Sequence, residues 1–149
     1  MISKRILREL IDQKLKDADA LIAKRRYATA IYIAGYAIEL ALKLKICRIF
    51  KFVQGFPENK VEFSVYQNSV KSQQLLLGAI TQIKDIRNHD LNKLLFYSGV
   101  EYQIRLNYLN EWNLIVSWNP EMRYQMQKVL KKEALSKVNA IKLLIQNIL

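Results

Sequence analysis

The sequence predicts an all-α fold, an up-and-down antiparallel bundle of five or six helices, and three observations carry that expectation. Apolar residues recur at three- and four-residue steps over long stretches, the spacing of one helix face. Only four Gly and two Pro punctuate 149 residues, whereas an all-β chain needs turn chemistry roughly every 8–12 residues. The apolar run from Tyr27 to Cys47 is longer than strands are.

The elements follow in order. Over residues 3–23, Ile6, Leu7, Leu10, Ile11, Leu15, Ala18, Leu21 and Ile22 form one apolar face, with Lys4, Arg8 and Lys14 or Lys16 opposite. Residues 27–51 read as a central helix, apolar on most sides and interrupted mainly by Thr29, Gly35, Glu39, Lys43 and Lys45. Gly35 costs about 1 kcal/mol in a helix interior relative to Ala, so close packing against its backbone is expected. A less regular insertion occupies about 51–86. Gly55, Pro57 and Asn59 mark a loop, Glu62–Tyr66 alternates like a short strand, and Leu75–Ile86 resembles a short helix. Leu91, Leu94, Leu95 and Tyr97 make another helix, with Asn88 or Asp90 as N-cap and Gly99 as the terminating C′ residue. Tyr102–Trp118 is a further amphipathic segment. Asn119-Pro120-Glu121 supplies a cap, a first-turn proline and an acid at the positive helix end, opening a last helix over 121–148 with a break near Tyr124. Residues 1–149 form a single domain on this reading, of a size that needs no disulfide or metal to hold its core.

Composition narrows the function. Cys47 is the only cysteine and sits among apolar neighbours, which suits a small buried hydrophobe. The residues preceding Leu10 carry charges throughout, unlike a signal peptide. The most apolar run, Tyr27–Ile38, stops at Glu39, short of the ~20 residues a membrane span requires. A cytoplasmic protein without membrane attachment is expected. Net charge is +11, and residues 1–51 hold +7 of it, with 12 Lys/Arg against 5 Asp/Glu. Such a field attracts phosphates, nucleic acid or an acidic partner, or serves only solubility.

Few groups can carry chemistry. His89 is the only histidine, so no multi-histidine metal site exists and no metal or cofactor is expected. There is no Gly-x-Ser-x-Gly nucleophile signature and no glycine-rich phosphate loop. In Asp85-Ile86-Arg87-Asn88-His89-Asp90-Leu91, His89 either acts with Arg87 on a phosphodiester or helps, with Asp90, to cap a helix. Glu39 lies four residues before Lys43, the spacing of a structural ion pair; an active-site carboxylate is the other reading.

Three stretches together resemble HEPN domains. Arg26-Tyr27-Ala28-Thr29-Ala30 with Ala34-Gly35-Tyr36-Ala37-Ile38-Glu39-Leu40-Ala41-Leu42-Lys43 resembles their second helix, where a Gly-Tyr stretch leads into Glu-x-x-x-Lys. His89-Asp90-Leu91 with Leu94-Leu95 resembles the motif opening their third helix. Trp118-Asn119-Pro120-Glu121-x-Arg123-Tyr124 resembles the loop before their last helix. The resemblance leaves 51–86 unmatched. It implies a helical bundle, commonly a homodimer, associated with nucleotidyltransferase partners, toxin–antitoxin pairs or RNA biology. Family ribonucleases carry Arg, four to six residues, then His; here Gln82, Ile83 and Lys84 occupy the arginine positions and Arg87 stands two before His89. The resemblance therefore points to the non-catalytic branch, a module binding a nucleotide, RNA or a protein. Arg87, His89, Asp90, Arg123 and Tyr124 are the candidate ligand-binding residues, and Glu39 and Lys43 the structural pair. Arg123 is a candidate partner for Glu39 or Asp90. No residue is assigned as catalytic; the alternative is a metal-independent ribonuclease using Arg87 and His89. A dimer is expected on a second ground, that the helix at 27–47 has more apolar surface than one small bundle readily covers.

Overall fold

Ser3 opens the first helix, its hydroxyl accepting the Ile6 N–H at 3.2 Å, and α1 then runs Lys4–Ala23. The structure is a computed structural model and describes residues 1–69, 80–125 and 128–149. Helix α1 closes through a left-handed Arg25 (φ 59°). The Arg26 N–H reaches the Leu21 carbonyl at 2.8 Å and the Arg25 N–H that of Ile22 at 2.9 Å. This is the Schellman pattern with arginine where glycine is usual, so the backbone there is strained by about 1 kcal/mol. The turn reverses the chain directly into α2, Tyr27–Ile49, which packs along α1.

Helix α2 is the axis of the molecule. It packs against α1, against the C-terminal helix, and against the short helix that follows His89. Ala30, Ile31, Ala34, Ala37, Ile38, Ala41, Leu42, Leu44 and Ile46 are all buried within the one chain. The expected surplus of uncovered apolar surface on this helix is therefore not found, and that ground for a dimer falls away. Apart from Ile49 at the end of α2, the exposed large apolar side chains lie elsewhere, Tyr102 and Leu106 among them.

The stretch at 62–66 is a helix rather than a strand. Asn59 accepts the Glu62 N–H at 2.9 Å and starts α3, Lys60–Ser69, while the Glu62 carboxylate turns back to the Glu58 N–H at 2.8 Å. Phe63 and Tyr66, three apart, are buried, and Val61 and Val65 face outward. The alternation over 62–66 thus belongs to a helix with Phe63 and Tyr66 inside and Val65 outside. Residues 75–79 of the helix expected over 75–86 lie outside the described residues. Beyond them, Ile83–Ile86 forms the single turn α4.

Asp90 caps α5, Leu91–Tyr97, which ends at Gly99 in the left-handed region (φ 73°). The single amphipathic segment expected over 102–118 divides at Tyr108 (φ −136°, ψ 33°) into α6, Glu101–Asn107, and α7, Leu109–Ile115. The bend lets Ile104, Trp112 and Ile115 all face inward, and the Tyr108 hydroxyl donates to Asn147 at 2.8 Å. The cap at Asn119 starts only a 3₁₀ turn, Pro120–Tyr124; the last helix, α8, begins later than expected, at Lys131, and runs to Ile148.

Eight α-helices are thus present among the described residues, and their buried side chains form one continuous core. The excess over five or six arises from the bend at Tyr108 and the short turns around the insertion. The only β-type pairing among the described residues is an isolated bridge between Ile2 and Phe56. None of these helices is long and apolar enough to cross a membrane.

Cys47 belongs to the core, and burial pushes its thiol up to about 12. Because the thiolate is the reactive form, native protein at pH 8 is expected to label at least a hundredfold more slowly with a thiol-specific disulfide reagent than protein in denaturant. Equal rates would show that the α2 core opens readily.

Candidate functional site

One face of α2 carries Tyr32, Tyr36, Glu39 and Lys43, spaced by four, three and four residues. Glu39 is 2% exposed, and a carboxylate so placed must be satisfied by the protein. Its Oε1 accepts from Lys43 Nζ at 2.5 Å, and its Oε2 lies 2.9 Å from His89 Nδ1. A carboxylate only accepts, so His89 donates through Nδ1–H. The imidazole keeps Nε2 as its remaining ring nitrogen, and its side chain is 56% exposed. Glu39 is thus both the structural partner of Lys43 and the group that orients the sole histidine. It does not pair with Arg123.

The approach to His89 is fixed by its neighbours. Asn88 donates to the Asp85 carbonyl at 2.7 Å and accepts the Asp90 N–H at 2.9 Å, which locks the turn. Asp90 accepts the N–H groups of Asn92 and Lys93 at 3.0 and 3.1 Å, so one carboxylate oxygen is engaged in capping α5. The other lies 3.8 Å from Lys93 Nζ, and Asp90 pairs with Arg123 no more than Glu39 does. Arg87 is exposed and has no ion pair among the described residues.

Across the site, Trp118 lies flat over Gly35, where any Cβ would overlap its indole ring. Its Nε1 donates to the Tyr32 carbonyl at 3.1 Å, and Tyr36 meets it edge-on with centroids 4.9 Å apart. The Tyr36 and Tyr32 hydroxyls are 3.0 Å apart. Burial, reinforced by the Tyr32 hydrogen bond and the nearby Glu39 charge, pushes the Tyr36 phenol up to about 12, so it stays protonated at neutral pH. The neighbouring Tyr32 hydroxyl, and after it Tyr124, raise the Arg123 guanidinium above its ordinary value and keep it charged. The guanidinium also lies 4.7 Å above the Tyr124 ring, a cation–π contact. Tyr124 is 75% exposed.

Two clefts meet at this point. The first, about 360 Å³, is lined by Ile2, Lys43, Phe56, Glu58, Arg87, Asn88 and His89. The second, about 660 Å³, runs from His89 and Asp90 past Trp118 to Glu121 and Arg123. His89 is common to both. Of the expected ligand-binding residues, Arg87 and His89 share the first cleft and His89, Asp90 and Arg123 the second, while Tyr124 stands beside the second without lining it. The sequence reading missed the contact between His89 and Glu39, the Tyr32–Tyr36–Trp118 cluster, and the roles of Phe56 and Glu58 as cleft walls. A buried acid on an apolar helix and a lone histidine were the available signals for the first of these. Among the described residues no three of His, Cys, Asp and Glu converge to hold a metal.

The arrangement offers an anion the exposed Arg87 guanidinium in the first cleft or that of Arg123 in the second, with the His89 imidazole common to both. No family model, curated protein or solved structure matches the chain.

Proposed function

We propose that the chain is a HEPN-type module that binds a phosphate-bearing ligand, a nucleotide or RNA, without transforming it. The observation that carries this reading is His89, held by the buried Glu39 on the lip shared by two clefts, with Arg87 on one side and Arg123 on the other. Guanidinium groups grip phosphate oxygens bidentately, and the imidazole nitrogen left over by Glu39 adds a further polar contact. The excess positive charge of the chain would draw such a ligand in. The resemblance in the Gly35–Lys43, His89–Leu95 and Trp118–Tyr124 stretches supports the same reading. A homodimer and a nucleotidyltransferase-type or antitoxin-type partner belong to this proposal and rest on the resemblance alone.

The second reading, a metal-independent ribonuclease, is favoured by the Glu39–His89 pair. A carboxylate-oriented histidine with Nε2 at a cleft beside Arg87 is placed to take a proton from a ribose hydroxyl. Two of the neighbouring proton-transfer groups are already engaged, Asp90 in capping α5 and Lys43 in its bond to Glu39.

Labelled single-stranded RNA incubated with the protein in EDTA, at 50 and 200 mM salt, separates the two. Intact RNA bound tenfold or more weakly at the higher salt is expected. Arg87→Ala combined with Arg123→Ala should lower that affinity at least thirtyfold and leave Tm within a few degrees, because both side chains are exposed. Cleavage that disappears in His89→Ala would establish the ribonuclease. Undiminished binding by the double variant would move the site elsewhere.

A further inference from the structure

The turn between α1 and α2 carries three consecutive exposed cations, Lys24, Arg25 and Arg26. Two bonds bring the start of α8 to the same end of the bundle. Arg48, in the last turn of α2, donates to the Leu149 carbonyl at 2.7 Å, and Lys142 reaches Asp19, late in α1, at 2.6 Å. Helix α8 packs on both helices and so runs beside α2 in the same direction. From Lys142 back to Lys131 it covers about 16 Å toward the turn, and α1 covers about 9 Å from Asp19 to Arg25. Lys131 and Lys132, both exposed, therefore stand at the turn's end of the bundle. None of these cations is in an ion pair among the described residues, while Asp19 and Glu133 are taken by Lys142 and Lys137. The start of α8 has no side-chain cap, so its free N–H groups add partial positive charge.

Arg25 holds the left-handed position (φ 59°) that glycine fills without strain. Strain of this kind persists where the side chain is wanted, and the exposed Arg25 guanidinium has no ion pair among the described residues. Arg123 neighbours the Tyr32 hydroxyl, and Tyr32 follows Arg26 by six residues, about 9 Å along α2. Arg123, which lines the second cleft, and the exposed Tyr124 ring beneath it are thus close to this end. Spaced cations beside an exposed aromatic ring are the chemistry that holds a single nucleic-acid strand, whose phosphates meet the cations and whose bases stack. A lipid surface calls for an apolar helix face beside the cations, and the start of α8 presents Leu130 rather than such a face. We infer that the α1–α2 turn and the start of α8 form a track for the phosphate backbone of a single strand that continues past Arg123 from the clefts. Lys24, Arg25, Arg26, Lys131 and Lys132 carry it. The inference rests on the phosphate-binding reading given above and adds the path of a strand longer than the clefts hold.

An adenylate trimer and an adenylate dodecamer, titrated with the whole chain between 50 and 200 mM salt and read by fluorescence polarisation, test it. Lys131→Gln with Lys132→Gln should weaken the dodecamer at least fivefold and make its salt slope shallower by about 1, since each phosphate neutralised on a single strand contributes about 0.7. The trimer should change less than twofold. An equal loss of charge at the opposite end of the bundle, Arg8→Gln with Lys51→Gln, should change the dodecamer less than twofold. Arg25→Gly should raise Tm by about 2–4 °C by relieving the left-handed strain, yet weaken the dodecamer about twofold to threefold. A merely structural arginine does not give those opposite signs. Equal effects of the two double variants would overturn the inference, with net charge alone drawing the strand in and the phosphate site left standing. Unchanged dodecamer affinity in the Lys131 and Lys132 variant would overturn it as well. No binding of trimer or dodecamer to the unsubstituted protein would overturn both the inference and the reading beneath it. Binding to phosphatidylserine vesicles in place of the dodecamer, lost in the same variant, would overturn it in favour of a lipid surface.

Discussion

Glu39→Ala is expected to lower the unfolding free energy by about 3 kcal/mol, seen as a fall in Tm of roughly 6–12 °C. The loss would come from Lys43 more than from His89. Lys43 has a side chain only 11% exposed and rests over Phe56, so removal of Glu39 leaves a nearly buried ammonium without its counter-charge. His89 is half in water and can satisfy Nδ1 there. The two contributions separate in a series of variants. His89→Ala alone should cost less than about 1 kcal/mol, the scale of one partly exposed hydrogen bond. Glu39→Leu combined with Lys43→Met should be far milder than Glu39→Ala, because replacing a buried ion pair by apolar groups of similar size is often neutral. Urea unfolding followed by circular dichroism measures all of these. A Glu39→Ala variant as stable as the parent would mean that Lys43 finds water or another partner. The assignment of Glu39 as the group that fixes the histidine would then lose its energetic basis.

The same residue shows how far the sequence reaches. The ion pair between Glu39 and Lys43 was legible, because four-residue spacing on a helix puts two side chains in reach whatever the tertiary fold. The bond to His89 spans fifty residues of chain and depends on how α5 lands on α2, which no local pattern encodes. Elements were readable on the same terms. The bounds of α1 and α2 follow from Ser3, from periodicity and from a long apolar run, and the caps at Asp90, Gly99 and Asn119 are local chemistry. What failed was settled by tertiary packing. Tyr108 leaves helical geometry because its hydroxyl meets Asn147 and because bending there buries both Ile104 and Trp112. Val61 and Val65 favour strands in isolation, yet Asn59 and Glu62 cap a helix around them. Of the candidate site, Arg87, His89 and Arg123 were named from the sequence. The cleft walls at Phe56 and Glu58 were not, since both come from the insertion, where periodicity is weakest.

Gly35→Ala is expected to destabilise the protein, with a net loss of about 2–4 kcal/mol. In an isolated helix the same substitution stabilises by about 1 kcal/mol, because alanine restricts the unfolded chain and favours helix. Here the added Cβ would overlap Nε1, Cδ1 and Cε2 of Trp118, a rigid bicyclic ring with buried neighbours rather than the yielding end of a flexible chain. Overpacking alone costs roughly 1–3 kcal/mol. Moving the indole outward would also break its hydrogen bond to the Tyr32 carbonyl and its edge contact with Tyr36, and would expose a ring now 4% exposed. Together these exceed the propensity gain, so the sign of the effect reverses. The displaced ring forms one wall of the second cleft, so affinity for single-stranded RNA should fall with stability. A double-mutant cycle identifies the cause. Gly35→Ala in a Trp118→Leu background should be nearly neutral or slightly stabilising, giving a coupling of 2 kcal/mol or more, as expected for side chains in direct contact (range of about 0.5–3 kcal/mol). Additive effects of the two substitutions would mean that Trp118 does not rest on Gly35. The glycine would then be retained for backbone reasons alone, and the tryptophan wall of the second cleft would have to be placed differently.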